Sequence, residues 1–320
     1  MPHTLLDVAK FRNNDVAVGL IEENVARAPE VASFMSRVIP GTAYNTLVSS
    51  GQSSGAFRRA NEGVALTKAT LRQDLVQCYI FENPVALDGA ISLASQGLGI
   101  EDLEAVESRA KALATMQQIG RQVWYGTSAD LGFGGIKAFT PKTATAGTSS
   151  IVVDATGAAA NTASSVYGVK WGMQDVHLVF GNNETLQMSE FVDQMLFDGS
   201  GRAYMGRAAS IKAWVGMQIG NVNCVGRILN LTAESGKTLN DNLMAQLVEQ
   251  FPAGAPPDAF FMSRRSARQL AQARPRTTFS QAGVSPRAGQ TVAVSSYTVT
   301  DYENIPVIVT DQILNTDAIE

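Results

Sequence analysis

The chain is short of charge, cysteine and histidine. Charged residues fill 17% of its 320 positions, against roughly a quarter in an ordinary soluble domain. With 25 basic and 29 acidic residues the net charge is −4, so neither a polybasic nucleic-acid binder nor an acidic tail protein is indicated. Two cysteines, Cys78 and Cys224, cannot build a disulfide framework or a four-thiolate zinc site. They read as reduced thiols of a cytosolic protein. The two histidines, His3 and His177, show no ligand spacing with each other or with the cysteines. Metal: none, catalytic residues: none and cofactors: none are therefore the readings the composition supports. The first ten residues have no basic segment followed by a long apolar one, which argues against a signal peptide. No apolar window approaches membrane-span length. Disorder is excluded by a hydrophobic content of 45%, enough for a sizeable core.

What is present is a succession of long, protruding patterns. Val16, Leu20, Ile21 and Val25 fall at helical spacing and make Met1–Met35 an amphipathic arm in need of a partner surface. Pro29 interrupts or begins a helical turn there. From Arg37 to Gln77 the pattern is extended. One run holds Val38, Ile39, Tyr44, Thr46, Leu47 and Val48, and a second holds Val64, Leu66, Thr67, Leu71, Leu75 and Val76. Between them lies a polar tip, Ser49–Gly63, with Gly51, Gly55 and Gly63. Together these predict a long hairpin, which cannot be stable alone.

Ile100–Tyr125 carries the strongest helical signal. Ile100, Leu103, Val106, Ala110, Leu113 and Ala114 mark one face, Glu101, Asp102 and Glu104 load the first turn, and Gly126 is placed as the C-cap. Such a helix would span about 40 Å. Strands are expected at Ile151–Val153, Ser165–Lys170, Val176–Phe180, Ser210–Met217, Val225–Leu231, Ala259–Met262, Thr291–Thr300 and Ile305–Val309. Helices are expected over Leu239–Phe251 and, N-capped by Ser263, up to Ala273. The class is α+β.

Two catalytic lures fail on inspection. Leu231–Thr238 ends in Gly236-Lys237-Thr238 like a phosphate loop, but Leu231 stands where the first glycine is required. The plain reading is a turn at Gly236 with Thr238 capping the next helix. Gly51-Gln-Ser53-Ser-Gly55 has the spacing of a nucleophile elbow but lies in the polar tip, and a triad with His177 lacks the strand–turn–helix setting. Arg264, Arg265, Arg268, Arg274, Arg276 and Arg287 fall in a stretch without an acid from Ser263 to Thr300. They could meet phosphates or carboxylates of another subunit, and the protein-contact reading is preferred. Long elements, few charges and no credible catalytic group suggest an assembly subunit.

The order of these elements resembles the major capsid protein family of tailed bacteriophages, with the Hong Kong 97-type shell fold. Local segments are similar as well. They include Trp124-Tyr-Gly126 followed by Phe133-Gly-Gly-Ile136, Val152–Gly157 with Ser164–Gly172, Trp214–Gln218 with Arg227–Asn230, and Tyr302–Asp311 with Leu314-Asn-Thr316. The resemblance implies an N-terminal arm (1–36), an extended loop hairpin (37–80) and a peripheral domain with a spine helix (81–160). It further implies an axial domain that could hold an inserted subdomain (161–289) and a return to the peripheral domain (290–320). It implies a structural, non-enzymatic protein of the virion capsid, assembled in the host cytoplasm. Copies of itself would form pentamers and hexamers of an icosahedral shell around double-stranded DNA held by non-specific contacts. Portal, scaffolding and decoration proteins are the further partners, and no membrane is involved. The alternatives are an encapsulin-like nanocompartment shell that packages an enzyme, a nucleotide-binding enzyme using Gly236-Lys237-Thr238, and a β-rich tail or adhesion protein.

Overall fold

The computed structural model describes Ala26 and residues 28–95, 103–274 and 300–320. Most of the expected arm, the expected strand at 291–299, and Arg276 and Arg287 lie outside these residues. In chain order the described elements begin with α1 (Glu30–Ser33), β1 (Ser36–Val38), β2 (Ala43–Gly51), β3 (Thr70–Gln77) and β4 (Tyr79–Asp88). Then come α2 (Gly89–Ser95), α3 (Leu103–Tyr125), α4 (Ile136–Phe139), β5 (Val152–Asp154), β6 (Ser164–Val169) and β7 (Val176–Phe180). They continue with β8 (Gln187–Met188), β9 (Val192–Phe197), β10 (Ala203–Ile219), β11 (Val225–Leu231) and α5 (Asp241–Gln250). The last are β12 (Ala259–Met262), α6 (Arg264–Ala273), β13 (Asp301–Tyr302) and β14 (Ile305–Val309). The chain divides into two compact units: the described residues up to Gly135 together with Gly172–Asn221, and Ile136–Trp171 together with Val222–Glu320.

The first unit is organised by the 17-residue strand β10. One side of β10 pairs antiparallel with β4 over ten residues, and the other side takes β9, β8 and β7 in turn. β1 then adds in parallel to β7. β4 is an edge strand and contains Pro84, paired with Ser210. A proline lacks the ladder N–H and is tolerated at such an edge. Helix α3 has 23 residues, about 34 Å. Its fully buried side chains gather in its C-terminal half, at Thr115, Ile119, Val123 and Trp124, with Leu103 at the start. Val106 and Leu113, expected on the core face, are only half-buried, and Ala110 is exposed. Trp124 is held by an edge-on contact with Phe34, centroids 5.9 Å apart, and donates its indole N–H to Glu30 Oε1 at 2.8 Å. Pro29 is the N-cap of α1, as expected of a residue with no N–H to satisfy.

The second unit is one six-stranded mixed sheet, ordered β13-β14-β12-β6-β11-β5. Its central strands β6, β11 and β12 are buried along their whole length. β12 reads as a continuous apolar run because neither face meets water, while β6 and β11 also bury Ser164, Ser165, Arg227 and Asn230. Helices α5 and α6 pack Met244, Leu247 and Leu270 into its core with Phe260, Ile228 and Val166. Asn240 caps α5 through Oδ1 to Leu243 N, and Ser263 caps α6 through Oγ to Ser266 N. The helix cap expected at Thr238 is thus at Asn240, two residues on. The tail, expected to return to the body with the long helix, instead extends this sheet through parallel pairing of β14 with β12. Ala-Phe-Phe-Met of β12 supplies an apolar neighbour on which Ile305–Val309 completes its ladder.

Gly126 follows α3, but its φ is not positive, so it is no left-handed cap. The reason for glycine is crowding. A Cβ on Gly126 would lie 2.4 Å from Phe133 O, and one on Gly135 would lie 2.5 Å from Gly126 N and 2.7 Å from Trp124 O. The two glycines let the exit loop fold back onto the helix end, closed by Gly135 N–H to Gly126 O at 2.8 Å. Gly135→Ala should therefore destabilise the subunit by about 1–3 kcal/mol in chemical denaturation. Gly134→Ala, whose Cβ would meet nothing within 4 Å, should change stability by less than about 1 kcal/mol.

Candidate assembly surfaces

The hairpin of β2 and β3 forms a two-stranded sheet of its own. Its register places Asn45 opposite Leu75, Leu47 opposite Gln73 and Ser49 opposite Leu71 on one face. That face holds no charge, and Leu47, Leu71 and Leu75 are 70%, 59% and 64% exposed. The other face carries Tyr44, Val76, Thr46, Asp74, Val48 and Arg72, with Arg72 Nη2 on Asp74 at 2.7 Å. The second strand begins at Thr70, so the expected run through Val64, Leu66 and Thr67 belongs to the irregular tip instead. Those residues have no partner strand with which to make a ladder. In the tip Phe57 and Leu66 are fully exposed, as are Arg58, Arg59 and Ser53.

A second apolar surface lies where β9 pairs with the start of β10. Met195 is opposite Met205 and Phe197 opposite Ala203, and Met195, Phe197 and Met205 are all exposed. Sequence reading missed this ribbon. Its signal was the short apolar run Met195-Leu-Phe197, diluted by the polar turn at 198–202. Arg207 marks its inner end, bonded to Glu104 Oε1 at 2.6 Å and reaching Asp193 at 3.3 Å.

The enzyme lures are accounted for by their surroundings. His177 is buried on β7 and its ring contacts are Tyr44 Oη at 3.3 Å and Gly172 O at 3.1 Å. It has no hydrogen bond to Ser53. After β11 the chain turns at Gly236, φ +76°, and Lys237 Nζ donates to Thr156 Oγ1. Amide donors near this turn are taken by a carboxylate of the protein itself. Glu234 Oε2 accepts from Ala158 N at 2.9 Å, Ala159 N at 3.3 Å and Thr232 Oγ1 at 2.9 Å. These bonds hold the Glu234 carboxyl below its usual pKa. Among the described residues no three His, Cys, Asp or Glu side chains converge on a metal-sized site. No described helix is long and apolar enough to cross a membrane.

Two of the four described arginines of the group, Arg265 and Arg274, serve the subunit itself. Arg265 Nη2 donates to Thr162 O at 2.8 Å and Leu231 O at 3.0 Å. Arg274 pairs with Asp241 at 3.1 Å and lies over the Tyr302 ring. Arg264 reaches Asp311 at 3.7 Å from an exposed position, and Arg268 is exposed. The expected partner contact is thus confined, among the described arginines, to these last two.

The strongest electrostatic constellation had no sequence signal. Arg227 of β11 is buried, yet its guanidinium holds Glu320 through two bonds, at 2.9 and 3.0 Å. It also donates to Ser165 Oγ at 3.0 Å and Thr140 O at 3.2 Å, and stands 5.8 Å from the Tyr167 ring centroid. Lys137 lies 3.6 Å from Glu320 and 3.5 Å from Asp317. Lys142 pairs with Asp154 at 2.8 Å. Burial works against ionisation of Glu320, but Arg227 and Lys137 outweigh it and hold that carboxyl below its usual range. Burial pushes the Tyr167 phenol up to about 12.

The chain has two exposed apolar surfaces among its described residues, and its mixed α+β architecture is that of the Hong Kong 97-like capsid proteins. It aligns over 99% of this chain and 97% of the other with the structure of bacteriophage Epsilon15, at TM-score 0.72 and 16% identity. The bacteriophage JBD30 capsid aligns over 78% of this chain and 84% of its own, at TM-score 0.47 and 9% identity. The encapsulin of the holo-SrpI complex from Synechococcus elongatus PCC 7942 aligns over 72% and 97%, at 0.44 and 8%. No match is found among curated protein sequences. The family model for major capsid protein GP7 matches residues 38–319, and the chain belongs to that family. It is a structural protein of the virion and not an enzyme, and its copies form the icosahedral shell of a tailed phage.

Within the six-stranded unit, pH should act on the Arg227–Glu320 pair. Because the Glu320 pKa is lowered by folding, its stabilisation is present above the ordinary carboxylate value and fades as pH falls below about 4. Amide exchange over Ile313–Glu320 should accelerate in that window. Arg227→Met should destabilise by up to about 3–5 kcal/mol at neutral pH, since it leaves a partly buried carboxylate with Lys137 alone, and should diminish that acid step.

Proposed function

We propose that the shell built from this chain encloses double-stranded DNA, and that the β2–β3 hairpin is the strap by which one copy holds the next. The observation that carries the strap is the uncharged leucine face, Leu47, Leu71 and Leu75, exposed on a ribbon with no third layer of its own. Burying one leucine side chain is worth about 1.5–3 kcal/mol, so three on each copy, repeated around a ring, make a substantial interface. Interface centres are poor in charge, as this face is. The half-buried N-terminal half of α3 and the Met195–Phe197–Met205 ribbon are further surfaces for contacts between copies.

In this reading the unit that carries α3 and β10 takes the peripheral role, and the six-stranded unit takes the axial role, tail included. The family membership supports DNA as the content, held without sequence reading, in keeping with a net charge of −4. Arg264 and Arg268 are available for phosphate contact. Portal and scaffolding proteins would join during assembly, and decoration proteins would bind the outside.

Particles isolated from infected cells should contain nuclease-protected double-stranded DNA. Particles filled with a protein cargo and free of DNA would instead support the nanocompartment reading. Leu47→Asp combined with Leu75→Asp should leave the far-ultraviolet dichroism of the subunit unchanged while closed shells disappear from negative-stain micrographs. Shells forming at parental yield would remove the hairpin from the assembly mechanism.

A further inference from the structure

At the root of the hairpin a row of polar groups, buried at His177 and Gln218 and half-buried at Tyr44, links the ribbon to the body of the same unit. Its members are Gly172 O, the two ring nitrogens of His177, the Tyr44 hydroxyl, the Gln218 amide and Met173 O. The contacts are Nδ1 to Gly172 O at 3.1 Å, Nε2 to Tyr44 Oη at 3.3 Å, Tyr44 Oη to Gln218 Oε1, and Gln218 Nε2 to Met173 O at 3.0 Å. Both ends of the row are carbonyl oxygens, which only accept. Four links therefore need four protons. The Gln218 amide supplies one, the Tyr44 hydroxyl one, and a neutral His177 one. Neither rotation of the Gln218 amide nor a change of imidazole tautomer alters that count. With His177 neutral, the Tyr44 hydroxyl has a single proton for two acceptors.

An imidazolium would supply the fourth proton, but at a site built against a cation. His177 is fully buried. Facing it are Tyr44 from β2, Gln218 from β10 and the Arg37 guanidinium from β1, which itself lies 5.3 Å from the Tyr44 ring centroid. Cys78, beside Tyr44, is buried too. Asp175, in the turn before β7, donates its amide to the same Gly172 O at 3.2 Å. Removing a cation from water and setting it near Arg37 costs more than one unmade bond between neutral groups. Accordingly, burial holds the His177 pKa below the ordinary imidazole value, with Arg37 acting the same way and the Gly172 bond opposing.

We infer that the hairpin root is an acid-released latch, in which neutral His177 and Tyr44 hold β2 to the body and protonation of His177 sets the ribbon free to swing. The sign follows from linkage. A histidine whose pKa is depressed in the docked state favours docking above the ordinary value of about 6.5 and withdraws that support as pH falls through the docked-state value. The latch is weak at neutral pH because the shared Tyr44 proton leaves one link unmade. Beyond it, the root is held by the small cluster of Ile39, Val76, Cys78 and Val179. The significance for assembly rests on the hairpin being the strap between copies, but the latch lies within one subunit and can be measured without shells.

The test uses the full chain, as free subunits and as particles. Deuterium exchange at the imidazole C2 position, followed by mass spectrometry of the peptide containing His177, gives its titration midpoint. Amide exchange over Ala43–Val48 and Arg72–Gln77, corrected for the intrinsic pH dependence, gives root protection from pH 8 to pH 5. We expect the His177 midpoint below 6.5 and protection falling through it, by about tenfold per unit of separation between the docked and free values. His177→Gln, which preserves one donor and one acceptor, should give a flat profile. Protection that is constant or rises on acidification, a midpoint at or above 6.5, or an undiminished fall in His177→Gln would each overturn the latch. Shells forming at parental yield from the Leu47→Asp, Leu75→Asp variant, beside an intact acid profile of the parent chain, would overturn the strap and leave the latch standing.

Discussion

A ribbon of two strands has two faces, and here only its root, at Tyr44 and Val76, is packed against the body; most of what is distinctive in this chain follows from that. Nine residues in β2 and eight in β3 satisfy only the inward-facing half of each other's backbone groups, and their side chains gain little from folding alone. The leucines on the uncharged face make sense only against another surface. The opposite face retains a charged pair, Arg72 with Asp74, and that face is able to stay wet. Such asymmetry gives the ribbon a direction in which to dock. It also explains how a protein with few charges remains a defined subunit: its apolar exposure is concentrated on particular elements rather than spread over the body.

Scarce charge is also used selectively. Arg227, Glu320, Lys137, Asp317, Lys142 and Asp154 converge in the six-stranded unit, where the Arg227–Glu320 pair ties the tail to the sheet. Arg207 and Glu104 join β10 to the long helix in the other unit. Buried pairs of this kind contribute little net stability over apolar contacts but resist alternative registers, since any misplacement leaves a charge without its partner. Each unit thus has an electrostatic constraint on how its elements pair.

Much of the second unit was legible. Val225–Leu231, Ala259–Met262, the Ser263 cap and Ile305–Val309 stand where their apolar runs place them, because strands buried on both faces advertise themselves by composition. The first unit was harder. The strand Tyr79–Asp88 escaped notice since Pro84 and Glu82 look like interruptions, and only an edge position makes the proline harmless. Ser210–Met217 was read as a short strand, whereas β10 runs from Ala203 to Ile219 because four neighbours share its length. The hairpin and its need for a partner were readable from the two extended runs about a glycine-rich tip. The Arg227 cluster and the row from His177 to Gln218 were not, since they join residues far apart in sequence and no local pattern announces a distant contact.

The alignment with the Epsilon15 structure at 16% identity indicates which requirements the fold imposes. An apolar run buried on both faces tolerates exchange of one aliphatic residue for another, so strands such as β11 and β12 can drift in identity while their pattern holds. The helix exit does not have that freedom. At Gly126 and Gly135 the limiting atoms are backbone, which cannot yield to a methyl group as a flexible side chain can. The aromatic–glycine turn and the following Phe133-Gly-Gly step were among the few segments that resembled the family by residue rather than by order, and close backbone approach is a physical reason for that. Recognition of a fold at this distance therefore rests on element order, supplemented by the few positions where one backbone lies against another.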